Sequence, residues 1–286
     1  MTQKKKVPAA FRVIRWLFPK LELVAPFLAK RWFTKLFFTA FKFPIYEREN
    51  NFLQSAKSSS MMYKGRKIKL YEWGEGEPIL FVHGWMGRAG QFRRFTEYYN
   101  KQGYKCVSFD APAHGYSEGK SSHLLEFSDL VQEMNKKYNG FRMIIGHSLG
   151  GVATLHAVTK GVKVDKMVMI SSPTIASYIL SEFRAGLNAS EKSQEHLLKF
   201  ARTNLGEDFY DLEAIRLVKK LKDTELLLIH DHDDEQVSIK NPNAMLQVYP
   251  EAKLVTTTGL GHNKILKDEH VISHTFQHFS SEKVTA

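Results

Sequence analysis

Apolar positions along the chain fall into two alternating patterns. Short seven-residue segments are largely apolar: "PILFVHG" from Pro78, "YKCVSFD" from Tyr104, "FRMIIGH" from Phe141, "KMVMISS" from Lys166, "TELLLIH" from Thr224 and "AKLVTTT" from Ala252. Each ends in Gly, His, Asp, Ser or Thr. Between them lie segments with apolar residues three and four apart, such as "QFRRFTEYYNKQG" and "HLLEFSDLVQEMNKKY". Continuous apolar runs suit strands covered on both faces, and the 3.6-residue period suits helices that cover them. "KIKLYEW" alternates instead and reads as a half-buried strand. The pattern predicts an α/β chain with a mostly parallel sheet and helices on both faces.

Two regions break the rhythm. Residues 47–65, "ERENNFLQSAKSSSMMYKG", are polar and serine-rich and read as a helix followed by a connection. Residues 174–222 are far too long for a simple crossover. They read as a helical cap insertion over the carboxyl ends of the strands, where open α/β sheets bind ligands. These boundaries divide the chain into a helical extension over 1–63 and an α/β domain over 64–286.

Length and composition alter this picture little. A chain of 286 residues with 43% hydrophobic content supports one large domain with an insertion. The single cysteine, Cys106, excludes an intramolecular disulfide, reads as a small core side chain and fits a cytoplasmic setting.

Charge is more informative once located. Residues 1–46 hold ten Lys or Arg against Glu22 alone, a net +9 of the chain's +11. The body is nearly balanced, so no nucleic-acid groove is expected in it. Arg12 and Arg15 interrupt any signal-peptide core, and no uncharged apolar run in this leader approaches the ~18 residues that span a bilayer. Its aromatics, Trp16, Trp32 and Phe33 among them, lie between lysines and arginines. That mixture suits peripheral contact with an anionic membrane, or packing of the aromatics on the body with a solvated basic face.

The candidate chemistry centres on "MIIGHSLGGVA". A strand here turns into a small-residue helix through Gly146-His147-Ser148-Leu149-Gly150. In a G-x-S-x-G elbow the serine is held in a strained conformation at a helix N-terminus. A serine hydroxyl needs a base, and the base needs an orienting acid. The acid is sought in "LLLIHDHDDEQV", which offers Asp231, Asp233 and Asp234. The base is sought in "LVTTTGLGHNKIL", which offers His262. The order serine, acid, histidine is the one this fold uses. "HDHDD" follows a strand end and does not present a formed metal shell, so no metal is expected. No G-x-G-x-x-G follows the first strand, and no cofactor is expected.

The chain resembles the α/β-hydrolase superfamily from about residue 64 to the last helix. The resemblance rests on His83-Gly84-Trp85, on Asp110 through Ser117, on Gly146 through Gly151, on His230 through Val237, and on Gly259-Leu-Gly-His262. It implies Ser148 as nucleophile, Asp234 as acid, His262 as base, and an oxyanion hole from the backbone N–H groups of Leu149 and Trp85. The Trp85 ring would also line the substrate pocket. Asp233 is the nearest rival to Asp234. Two departures stand out: Asp231 replaces a family glycine, and Ala113 replaces another. His83, His114 and His147 are expected to be structural.

The implied activity is a serine hydrolase acting on a small-molecule carboxylic ester through an acyl-enzyme. An acyltransferase would use the same intermediate, and a non-catalytic binding protein would require a broken triad.

Overall fold

The computed structural model describes residues 9–280, so the lysines at 4 to 6 lie outside the described residues. Its eight strands are β1 (Lys57–Tyr63), β2 (Arg66–Trp73), β3 (Pro78–Val82), β4 (Lys105–Phe109), β5 (Met143–His147), β6 (Lys166–Ile170), β7 (Glu225–Asp231) and β8 (Lys253–Thr257). They form one sheet in the order β1-β2-β4-β3-β5-β6-β7-β8. Only the β1–β2 and β2–β4 pairings are antiparallel. The helices are α1 (Ala9–Val24), α2 (Pro26–Phe38), α3 (Glu47–Gln54), α4 (Arg93–Lys101), α5 (Leu124–Lys137) and α6 (Leu149–Thr159). They continue with α7 (Ala176–Leu187), α8 (Glu191–Phe200), α9 (Ala214–Leu217), α10 (Lys240–Val248), α11 (Gly261–Lys264) and α12 (Glu269–Ser280).

The apolar runs of the central strands follow from burial on both sides. Alternate residues of β3 go to different cores. Ile79 and Phe81 pack with Phe95 and Tyr99 of α4 and Val271 of α12. Leu80 and Val82 pack with Phe127, Leu130 and Met134 of α5 and Ala153 of α6. The α5 residues recur at three- and four-residue spacing, which puts them on one helix face. Cys106 is fully buried in the first of these cores, and burial pushes its thiol above the ordinary range.

One element differs from the sequence reading. Residues 57–63 form strand β1 rather than a connection. Its serines gave no apolar alternation because β1 is an edge strand with mostly exposed side chains. It pairs with β2 from Lys57↔Glu72 to Tyr63↔Arg66 through a two-residue turn at Lys64 and Gly65. Both turn residues have positive φ, 45° and 74°. That is the requirement of a type I′ hairpin, for which Asn-Gly is the usual signal and Lys-Gly a poor one.

The chain divides into two compact units: 40–174 with 213–286, and 1–39 with 175–212. The first holds the sheet. Residues 213–222, expected in the insertion, belong to this unit, because Ala214, Leu217 and Val218 pack on Val152, Leu155 and Met169.

The second unit joins the basic leader to the long insertion. Phe18 of α1 and Ala29 and Phe33 of α2 share a core with Leu180 and Leu187 of α7 and Leu197 of α8. The Phe183 ring sits 5.0 Å from Phe33 and 5.1 Å from Phe37, edge-on to both. Glu22 accepts hydrogen bonds from the Ser190 amide at 3.0 Å and its hydroxyl at 2.8 Å, at the start of α8. A carboxylate there also meets the positive end of the helix dipole. Phe18, Phe33, Phe37 and Phe38 of the leader are thus part of a core formed with the insertion. Among the described residues no helix is long and apolar enough to cross a membrane.

Candidate active site

Ser148 lies at the junction of β5 and α6 with φ 53° and ψ −124°, a backbone region costly for any residue with a Cβ. The surroundings force this turn. Helix α6 runs so close to the sheet that a Cβ on Gly150 would lie 2.2 Å from the Val82 carbonyl oxygen. A Cβ on Gly84 would likewise lie 2.7 Å from the Ser148 Cβ, so the loop after β3 passes directly beside the serine. The glycines on both sides of Ser148 and at position 84 are therefore spatial requirements. Leu149 opens α6, and its N–H has no preceding helical turn to bond to.

His262 follows β8 in the short helix α11, and its Nδ1 lies 2.8 Å from Asp234 Oδ2. Asp234 Oδ1 accepts the amides of Gln236 and Val237, both at 2.9 Å. Burial raises the affinity of this carboxyl for a proton. The His262 hydrogen bond and charge and the two amides outweigh it, and hold Asp234 below the usual carboxylate range. Its rival has another partner: Asp233 Oδ2 accepts the Gly259 amide at 2.8 Å.

Sequence reasoning missed the part played by Asp231, read there only as a displaced glycine. Its carboxylate accepts the Thr257 hydroxyl at 2.6 Å and the amides of Leu260 and Gly261 at 3.1 and 2.9 Å. It thereby grips the loop that carries His262. The side chains of Asp231, Asp233 and Asp234 in the "HDHDD" run are thus engaged within the protein, as is His230, with its Nε2 on the Val237 carbonyl at 2.7 Å.

The three neighbouring histidines serve the backbone. His83 Nε2 accepts the Ala111 amide at 3.0 Å, and His114 Nε2 accepts the Met86 amide at 3.0 Å. Burial pushes His83 well below its ordinary value and His114 to about 4. His147 Nε2 donates to the His262 carbonyl at 2.9 Å, and burial followed by the nearby His262 lowers His147 to about 3. All three are neutral at pH 7. Trp85, half-buried beside them, sets its ring edge-on to His114 at 5.2 Å between centroids.

The chain has relatives among known proteins. The family model described as serine aminopeptidase, S33, matches residues 77–209. Serine hydrolase-like protein 2 of Homo sapiens is 29% identical over 160 residues, covering 51% of this chain and 49% of that protein. Serine hydrolase-like protein of Homo sapiens is 30% identical over 154 residues, covering 50% of this chain and 73% of that protein. The chain belongs to the α/β-hydrolase superfamily. It is an enzyme of the serine-hydrolase, esterase type, and the chemistry of that type proceeds through an acyl-enzyme. This hydrolase thus spans from half to about three quarters of the length of these relatives. In fold it is similar to a putative lipase from Acinetobacter baumannii, with a TM-score of 0.61 at 16% identity, over 84% of this chain and 97% of that one.

Proposed function

We propose that this hydrolase cleaves a small carboxylic ester through an acyl-enzyme on Ser148. The supporting observation is the 2.8 Å pair of His262 Nδ1 and Asp234 Oδ2, on loops of the same sheet as the elbow serine. With Nδ1 donating to the carboxylate, Nε2 is the nitrogen free to accept the serine proton. The Ser148 Oγ–carbon bond forms as that proton moves to Nε2. The carbon–alkoxide bond then breaks, and the same proton leaves with the alcohol. Water, deprotonated by His262, releases the acid and regenerates Ser148. The N–H groups of Leu149 and Trp85 would hold the oxyanion of each tetrahedral intermediate. The Trp85 ring, beside that position, would contact the acyl or alcohol group. For residues 1–46 we propose peripheral contact with an anionic membrane.

A fluorophosphonate probe tests the nucleophile. The full chain is expected to label at Ser148 and to hydrolyse a short chromogenic ester, and Ser148→Ala is expected to do neither while keeping its melting temperature. Undiminished turnover in a pure, folded Ser148→Ala sample would remove the acyl-enzyme from the mechanism.

A further inference from the structure

Helix α1 is apolar on more than its core-facing side. Ile14, Phe18 and Leu21 recur four and three residues apart and pack into the core shared with α7 and α8. Val13, Trp16 and Leu17 are exposed. Exposure peaks where α1 meets α2: Leu23 is 84% exposed, Val24 86%, Phe27 64% and Leu28 58%. A surface helix ordinarily turns charge to the solvent on the side away from its core. Here four large apolar side chains surround the Ala25 break between two helices and none of them meets the core. A contiguous exposed patch of this kind marks an interaction surface.

The charges around the patch identify the partner. Arg12, Arg15, Lys20, Arg31 and Lys35 are all exposed on the same two helices. Glu22, the single acid between residues 9 and 39, is turned to Ser190 and Ser193 and leaves the basic side chains unopposed. Lys20 Nζ lies 3.0 Å from the centre of the Trp16 ring, and the Arg31 guanidinium 5.5 Å from that of Phe27. An aromatic ring carrying a cation at its face suits the boundary of a bilayer, with the ring among glycerol and upper acyl groups and the cation toward phosphate. At about 24 Å for 16 residues, α1 is suited to lie in that plane.

We propose that the outer side of α1 and the α1–α2 joint form a membrane-insertion surface. Leu23, Val24, Phe27 and Leu28 enter the acyl region of an anionic bilayer, while Lys20 and Arg31 meet lipid phosphate. This deepens the membrane contact proposed for residues 1–46: attachment is by insertion as well as by charge, so salt alone does not strip it.

The test is flotation of the full chain with phosphatidylcholine vesicles, with and without phosphatidylserine, at low salt and at about 0.5 M salt, where screening confines charge effects to a few ångströms. Three proteins are compared: the parent, Leu23→Ser/Val24→Ser/Phe27→Ser, and Lys20→Gln/Arg31→Gln. The parent is expected to bind serine-containing vesicles and to keep a bound fraction in high salt. The apolar triple variant is expected to lose about tenfold or more in partitioning at both salts, with unchanged ester hydrolysis. The charge variant is expected to lose binding chiefly at low salt. Binding by the triple variant equal to the parent's would overturn insertion and leave charge-driven contact standing. Absence of parental binding to any vesicle would overturn both. A parent that ignores vesicles, and whose triple variant changes from dimer to monomer by light scattering, would assign the patch to a second copy of the chain. Should the triple variant melt early, depth quenching of parental Trp16 fluorescence, isolated by difference against Trp16→Phe, by a shallow spin-labelled lipid decides instead. Quenching supports insertion and its absence refutes it.

Discussion

Asp231, Asp233 and Asp234 leave the end of β7 within four residues, and each carboxylate holds something different. Asp231 fastens the loop before His262, Asp233 takes the Gly259 amide, and Asp234 takes the imidazole itself. If Asp234 is the orienting acid, Asp234→Asn should lower kcat by about 10⁴-fold, since an amide can leave His262 in the wrong tautomer. Asp233→Asn should be mild, because its partner is a backbone amide of a half-exposed loop. Steady-state kinetics on one chromogenic ester ranks the two, and the reverse order would move the acid to Asp233. The elbow serine and the loop histidine stood out in the sequence because their glycines are local. Choosing among the aspartates required the family register. The grip of Asp231 was not legible, because its partners lie 26 to 30 residues further on.

Among the elements, the central strands and the helices over them were readable because each carries its own periodicity. β1 was not, since an edge strand needs no apolar alternation and its turn residue is a lysine. Nor was the association of leader and insertion. Periodicity shows that α2 has an apolar face, but it does not say that Leu180 and Leu197, some 150 residues away, are what cover it. Leu180 and Leu197 are fully buried, so either Leu→Ala change should destabilise the helical unit by about 2–5 kcal/mol. Removing residues 1–39 should go further, baring the Leu180, Leu187 and Leu197 side and leaving 175–212 open to protease. Limited proteolysis with mass mapping checks both. A truncated chain whose 175–212 segment resists cleavage as the parent's does would show that the leader is not what holds the insertion together.

Over the whole molecule, the buried histidines tie stability to pH. His114 and His147 titrate at about 4 and about 3 in the fold, against an ordinary value of 6.5, and His83 is also lowered. Between those values the unfolded chain binds protons that the folded chain does not, so stability rises with pH and is lost as pH falls below about 6.5. Each such histidine contributes a slope of up to about 1.4 kcal/mol per pH unit in that window. The melting temperature should therefore fall steadily from pH 7 to pH 4.5, and His114→Gln should flatten the decline. A profile level across that range would mean that the rings are charged in the fold. The division of the chain also sets an order of events during synthesis. Phe18 and Phe33 leave the ribosome long before Leu180 and Leu197, the residues that will cover them. At about 5–20 residues per second the wait is roughly ten to thirty seconds. During that interval the nascent hairpin has an apolar side without its partner, and six of the eight strands are made before one exists. The helical unit therefore closes only after most of the sheet has been made, although its first residues are among the earliest synthesised.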